Sequence, residues 1–406
     1  RFAVDSPRKN KMAAMKERTP VTIVTGFLGA GKTTLLNEIL HSDKHGLRFA
    51  IIENEFGDVG VDDGVLKTTS EDQIIEMMNG CVCCTVRSDL VKVLKDLAPR
   101  TKEFDAILIE TTGLADPAPV AQTFFVDDAV KAAYKLDGIV TVVDALHVAE
   151  HLDEVKPEGV ENEAVEQVAF ADKIILNKID LVTDPAALDA TEKKLRGINA
   201  EADILRTSHS KIDPSKLLQI EAFSLDRVVA MDPEFLDTDG EHEHDKSVGS
   251  VSFKFVGEIN VHKLEAFIGD LLKDYGNNLY RYKGLLAVKG VDMKFLFQGV
   301  HMLFQGGFNP DYPWKPSEIR ECKFVFIGKD LDKDKLQDGF KKCQVTETLR
   351  FDVGTAVLAR VESGFEQGKI LKQWDEGNPY RIRLDDAEAT EVWAPEDDDA
   401  YVKKAP

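Results

Sequence analysis

Cysteine is scarce in this chain, with five residues in 406. Their uneven spacing makes no disulfide framework, which points to a reducing compartment. No apolar run reaches the roughly 18 residues that a membrane-spanning helix needs. Positive charge is also short: Lys and Arg number 51 against 72 Asp and Glu, a formal net charge of −21. Such a balance lacks the basic footprint that nucleic-acid backbones require, and it attracts cations instead. A hydrophobic content of 43% with 30% charged residues is that of an ordinary globular protein. The length is too great for one core, so two or three domains are expected.

The little cysteine there is lies concentrated. Asn79-Gly80-Cys81-Val82-Cys83-Cys84-Thr85 places three of the five thiols within four positions. Thiolates are soft ligands suited to zinc or Cu(I). The run could also be three packed, inert thiols, since free cysteine is often buried as a small hydrophobe. A redox pair is a third reading, weakened because the adjacent Cys83 and Cys84 are poor disulfide partners. Metal binding is the favoured of the three.

The β-branched stretch Val21-Thr22-Ile23-Val24-Thr25 predicts a short buried parallel strand. It runs into Gly26-Phe27-Leu28-Gly29-Ala30-Gly31-Lys32-Thr33-Thr34, a full G-x-x-x-x-G-K-[ST] match, and then into the helical Leu35–Leu40. In such a loop Gly26, Gly29, Ala30 and Gly31 let backbone N–H groups wrap phosphates. Lys32 brings charge to the β/γ-phosphates, and the Thr33 hydroxyl can hold Mg²⁺, with Thr34 beside it. Ile107–Gly113 is a second apolar strand, ending in Glu110 and Gly113. An acid there serves Mg²⁺ or its waters, and the glycine can sense a γ-phosphate. Lys32, Thr33, Glu110 and Gly113 are the catalytic candidates.

Ile139–Asp144 and Lys173–Asp180 are two further buried strands, the latter ending Asn177-Lys178-Ile179-Asp180. A carboxylate at Asp180 accepts from guanine N1–H and the exocyclic amino group, a donor pair adenine lacks, so GTP is favoured over ATP. Thr207-Ser208-His209 is placed to close on the base, with Ser208 the candidate contact. A strand through Ile51 and Ile52 ends in Glu53-Asn54-Glu55-Phe56-Gly57-Asp58. Its acids stand where a nucleotide-sensing loop would be, able to serve Mg²⁺, position water or complete the cysteine site. Strands alternating with helical stretches predict a doubly wound, mostly parallel sheet with ligands at the carboxyl ends of its strands.

These motifs together resemble the CobW family of P-loop GTPases, and within it the YjiA-type branch of zinc chaperones. Ala115-Asp116-Pro117, Gln122–Phe125, Arg281-Tyr282-Lys283-Gly284 and Phe297-Gln298-Gly299-Val300 add to the likeness, which covers about residues 20–330. The resemblance implies a GTPase that binds zinc through the C-x-C-C run and a switch-loop glutamate. Cys83, Cys84 and Glu53 are then the expected ligands with Cys81 close by, while Thr33 remains a Mg²⁺ ligand. GTP/GDP, Mg²⁺ and Zn²⁺ are the implied cofactors. A client metalloprotein is the implied partner, with a homodimer left open, and neither nucleic acid nor membrane is expected. Eukaryotic members that transfer zinc carry a Cys-Pro client motif near the N-terminus. Residues 1–19 contain no cysteine, so delivery to that client, methionine aminopeptidase, is not supported.

The expected organisation is a disordered leader over 1–19, a P-loop GTPase domain over 20–235 and an acidic, His-bearing linker over 236–249. A smaller α/β domain over 250–344 and a small SH3-like β module over 345–406 follow. The linker's Asp239-Gly240-Glu241-His242-Glu243-His244-Asp245 could collect divalent metal weakly or act only as a spacer. Cys322 and Cys343 are read as structural, His301 as a core histidine, and Pro395–Asp399 as a solvated acidic tail. The leading functional reading is a cytoplasmic, GTP-hydrolysing zinc metallochaperone, with organellar targeting left open. Its alternatives are a metal-responsive interaction or storage protein with incidental turnover, and an insertion factor for cobalamin or another metal centre. An ATP-dependent kinase is disfavoured by the base-reading motif.

Overall fold

The computed structural model describes residues 18–42, 46–53, 74–78, 86–157, 162–223, 248–346 and 348–406. Its first layer is a seven-stranded parallel sheet. The strands are β1 Thr19–Thr25, β2 Phe49–Glu53, β3 Ile74–Met78, β4 Ala106–Glu110, β5 Tyr134–Asp144, β6 Lys173–Asn177 and β7 Asp203–Arg206. Their order is β3-β2-β4-β1-β5-β6-β7. Thr19, assigned to the leader, is the first residue of β1 and pairs with Tyr134.

The β-branched runs form this sheet because both of its faces are buried. Successive side chains of a strand point to opposite faces. Val21, Ile23, Ile107, Ile109, Ile139 and Ile174 join one core, with the helices α2 Val86–Leu97, α3 Ala118–Val126 and α6 Glu163–Ala169. Val24, Leu108, Val140 and Ile175 join the other, against α1 Lys32–Leu40. Between these lie α4 Asp128–Ala133 and α5 Val148–Leu152, and α7 Pro185–Ile198 follows β6. Asp127 caps α4 and Asn162 caps α6, each accepting from two backbone N–H groups of the first turn. All seven strands run the same way, so their carboxyl ends gather on one side.

The second sheet is antiparallel, in the order β11-β10-β9-β12-β8. Its strands are β8 Val248–Val256, β9 Leu279–Leu286, β10 Met293–Val300, β11 Leu303–Pro313 and β12 Glu321–Lys329. The helices α8 Val261–Tyr275 and α9 Lys333–Lys341 pack on one face around Phe253, Phe324, Phe326 and Phe340. The opposite face lies on the first domain, where Tyr280, Val300, Val325 and Ile327 join the core of α2, α3 and α6. Arg281 rivets this contact. It donates to the carbonyls of Phe170 at 2.8 Å and Ala171 at 3.0 Å, and pairs with Asp172 at 2.5 Å. His301 is half-buried at the same junction, its ring tilted against Phe170 and edge-on to Tyr280. It is thus a contact between domains rather than a residue of one core.

The last strands are β13 Ala356–Val361, β14 Gly364–Asp375, β15 Asn378–Leu384, β16 Glu391–Ala394 and β17 Val402–Lys404. They form a third, antiparallel sheet in the order β16-β15-β14-β13-β17. The β14–β15 turn rests on the second domain, where the His262 ring and the Asn378 amide oxygen are 2.9 Å apart. The acidic run is solvated only in part, since Glu396 and Asp399 are exposed while Asp397 is largely covered. The Asp397 carboxylate accepts from the Arg350 backbone N–H and Nε at 2.8 Å each, and Asp399 accepts from Arg350 at 2.7 Å. Val402, just beyond it, is fully buried.

Candidate functional site

The strand order brings the sequence motifs together. Thr25 ends β1, and the loop Gly26–Gly31 turns from it into α1. On the neighbouring strand, the Thr111 hydroxyl donates to Thr25 Oγ1 at 2.8 Å, tying the root of the second motif to the root of the first. Lys32 is folded over its own loop, donating from Nζ to the carbonyls of Gly26 at 2.8 Å and Phe27 at 3.3 Å. Burial pushes its pKa down, and the Glu110 charge opposes that shift. The Thr33 hydroxyl donates to Glu110 Oε1 at 3.0 Å, so the two groups expected to serve Mg²⁺ already touch. A hydroxyl and a carboxylate are hard oxygen donors and fit that ion. Thr33 and Thr34 are both exposed.

Asn177 is 2% exposed and acts as a staple. Its Nδ2 donates to Ala30 O at 2.9 Å and Ser210 Oγ at 3.0 Å, while its Oδ1 accepts from the Ser210 N–H at 2.9 Å. Ser210 Oγ donates in turn to Gly31 O at 3.1 Å. Gly31 is glycine for two reasons. Its φ is 109°, and a Cβ would lie 2.5 Å from Asn177 Nδ2. The phosphate loop, the base-reading strand and the closing loop are therefore one hydrogen-bonded unit. Ser210 ties this closing loop to the phosphate loop; Ser208, the expected base contact, is half-buried and its carbonyl accepts from the Lys211 N–H.

Lys178 has φ 61° and donates from Nζ to Asp144 Oδ2 at 2.8 Å. Burial raises the Asp144 pKa, but the hydrogen bonds from Lys178 and His147 outweigh it and hold the carboxyl below its usual range. Asp180 is exposed, with its Oδ2 3.8 Å from His209 Nε2. Gly113 is buried against the backbone of Leu28. A cavity of about 250 Å³ opens beside it, between Phe27–Ala30, His147, His151 and Gln167.

Cys81, Cys83 and Cys84 lie outside the described residues, as do Glu55, Asp58 and the His-bearing linker. The backbone around them is informative nonetheless. Glu53 ends β2 and is the register partner of Met78, which ends β3 three residues before Cys81. On the other side of β2, Ile52 pairs with Ile109, one residue before Glu110. Cys322 and Cys343 are buried, and burial pushes both thiols up to about 12. Residues that sequence reasoning passed over are Gln167, Asp144 and Ser210. Asp144 ends a motif-like strand, which was a usable signal, whereas nothing local marks Gln167 or Ser210.

Residues 20–206 match the CobW/HypB/UreG nucleotide-binding domain, and residues 248–344 match the cobalamin synthesis protein CobW C-terminal domain. The zinc chaperone YjiA of Escherichia coli is 35% identical over 326 residues, 79% of this chain and 97% of that protein. The chain belongs to the CobW family. The zinc-regulated GTPase metalloprotein activator 1 of Saccharomyces cerevisiae is 31% identical, covering 80% of this chain and 84% of its own length. The crystal structure of the Zn(II)-bound YjiA GTPase from E. coli superposes with a TM-score of 0.64 at 29% identity, over 81% of this chain and all of that one. The nucleotide-binding domain of this CobW protein thus carries the seven-stranded sheet, and its C-terminal domain the five-stranded antiparallel one. No helix among the described residues is long and apolar enough to cross a membrane.

Proposed function

We propose that this protein is a GTP-hydrolysing zinc metallochaperone, which uses the nucleotide cycle to hold zinc and pass it to a client metalloprotein. One observation carries the coupling. The adjacent parallel strands β3, β2, β4 and β1 lead, respectively, into the cysteine run, Glu53, Glu110 and the phosphate loop. Neighbouring strands are about 4.8 Å apart, so Glu53 leaves the sheet one strand from Glu110 and two strands from the phosphate loop, with the strand leading to the cysteine run next to Glu53 on the other side.

The bound nucleotide is held along its whole length. The N–H groups of Gly26–Lys32 cradle its phosphates, and Lys32 exchanges the carbonyls of Gly26 and Phe27 for β/γ-oxygens. Asp180 reads the guanine edge, and the Asn177 staple fixes base loop to phosphate loop. Thr33 and Glu110 would hold Mg²⁺, which supplies charge neutralisation on the phosphates. Hydrolysis is in-line attack by water, and the chain contributes position and charge rather than covalent chemistry. Zinc is the cargo, and Cys83, Cys84 and Glu53, with Cys81 close by, are its proposed ligands. The names of the YjiA and yeast relatives support the zinc and GTPase assignments.

The test follows zinc release from the zinc-loaded full chain into a chromogenic chelator. Release should accelerate when GTP is added, and should not respond to GTP in Lys32→Ala. GTP turnover without any effect on zinc release would remove the chaperone half of the reading.

A further inference from the structure

We propose that Gln167 is a positioning residue for GTP hydrolysis, clamping the Gly113 segment against the phosphate loop before nucleotide arrives. This deepens the GTPase reading of the same site and rests on it. The Gln167 side chain is 1% exposed. Its Nε2 donates to the carbonyls of Gly113 at 3.1 Å and Ala115 at 3.2 Å. A primary amide has two N–H groups, one for each acceptor. The residue itself is anchored, because its own carbonyl accepts from the buried Thr141 hydroxyl on β5 at 2.7 Å.

The far side of the segment is equally fixed. A Cβ on Gly113 would lie 2.6 Å from the Leu28 nitrogen and 2.7 Å from its Cα. Gly113 is therefore pressed between the phosphate-loop backbone and the Gln167 amide. Four residues after Gly113 the chain reaches Pro117, and there the Asp116 carboxylate accepts from the Ala118 N–H at 2.8 Å, holding the entry to α3. With the carbonyls of Gly113 and Ala115 held by one amide, the N–H groups of the same peptide units, those of Leu114 and Asp116, are fixed in direction as well.

Fixed donors near a reacting phosphate cost no reorganisation at the moment of reaction. Ground-state affinity rests elsewhere, on the phosphate loop and the base-reading Asp180. Loss of the clamp should therefore lower kcat more than it weakens GTP. The cavity beside Gln167 has room for water, which could take over the carbonyls if the side chain were merely shortened. Gln167→Met keeps the length and removes the donors, and Gln167→Glu sets an acceptor against two acceptors, so these are the informative variants.

The experiment measures steady-state GTP hydrolysis and the affinity of a non-hydrolysable GTP analogue for the full chain. In Gln167→Met, kcat should fall about 10- to 100-fold, with analogue affinity within about threefold of wild type and Gln167→Glu at least as impaired. A kcat within twofold of wild type overturns the inference, and so does a parallel loss of kcat and affinity. If wild type itself fails to hydrolyse GTP, the GTPase reading fails instead. Should the variants not fold, hydrogen exchange on nucleotide-free wild type decides. The two Gln167 Nε2 protons, donated to the carbonyls of Gly113 and Ala115, should exchange slowly when followed by NMR, and rapid exchange contradicts a preformed clamp.

Discussion

The Thr33 hydroxyl and the Glu110 carboxylate meet at 3.0 Å across 77 residues of sequence. Thr33 lies in the first turn of α1 and Glu110 ends the adjacent strand β4. The contact joins the helix that follows the phosphate loop to the segment proposed to sense the γ-phosphate. Glu110→Gln keeps the shape and removes the charge. It should weaken Mg²⁺ about 10- to 100-fold, the range for losing an outer partner of a metal site. Titrating GTP hydrolysis with Mg²⁺ checks this, and an unchanged midpoint would remove Glu110 from the site.

Asp180→Asn should weaken GTP and favour xanthine nucleotides. The carboxylate is exposed, and its proposed value lies in matching two guanine donors. Competition between GTP and XTP in a binding titration measures the change. Undiminished guanine preference would assign base reading to other residues.

Much of the nucleotide site was legible because its motifs are local. A strand, a glycine-rich turn and a helix follow one another along Val21–Leu40, and the structure keeps that order. What was not legible depends on distant partners. Gln167 lies 54 residues from the carbonyl of Gly113, and Ser210 acts through Asn177, 33 residues away. The strand β11 is not legible in the sequence because Gly306, Gly307, Pro310 and Pro313 read as breakers. It lies at the sheet edge, where proline forfeits no ladder bond. The start of strand β9 at Leu279 is hard to read because Tyr280 and Arg281 face the first domain and so break the apolar pattern. Pro395–Asp399 looked solvated since its partner, Arg350, is far off in sequence.

Arg281→Ala should destabilise the protein by about 3–5 kcal/mol, the cost of leaving a buried carboxylate unpaired. The Arg281 and Asp172 side chains are only 3% and 5% exposed. The loss should fall toward the lower end, as Lys283 stays 3.8 Å from Asp172. Adding Asp172→Asn should recover part of it. Denaturant titration of the single and double variants provides the check, and a change below about 1 kcal/mol in Arg281→Ala would mean the domains are held by apolar packing alone.

Cys322 and Cys343 should stay unmodified when the native protein is treated with iodoacetamide at pH 8. Their thiol pKa values, pushed up to about 12 by burial, leave almost no thiolate at that pH. Peptide mass spectrometry reads the outcome directly. Rapid alkylation of either would show that the second domain opens.

In the proposed mechanism zinc and nucleotide are linked through neighbouring strand ends. Linkage requires the effect to be reciprocal, and typical couplings are about 5- to 150-fold. Zinc affinity of the full chain, measured by chelator competition with GDP and with a non-hydrolysable GTP analogue, tests it most directly. The account predicts affinities that differ at least about fivefold between the two states, with the difference reduced in Glu53→Ala. Equal zinc affinity in both states would contradict the coupling, even if the metal site itself were real.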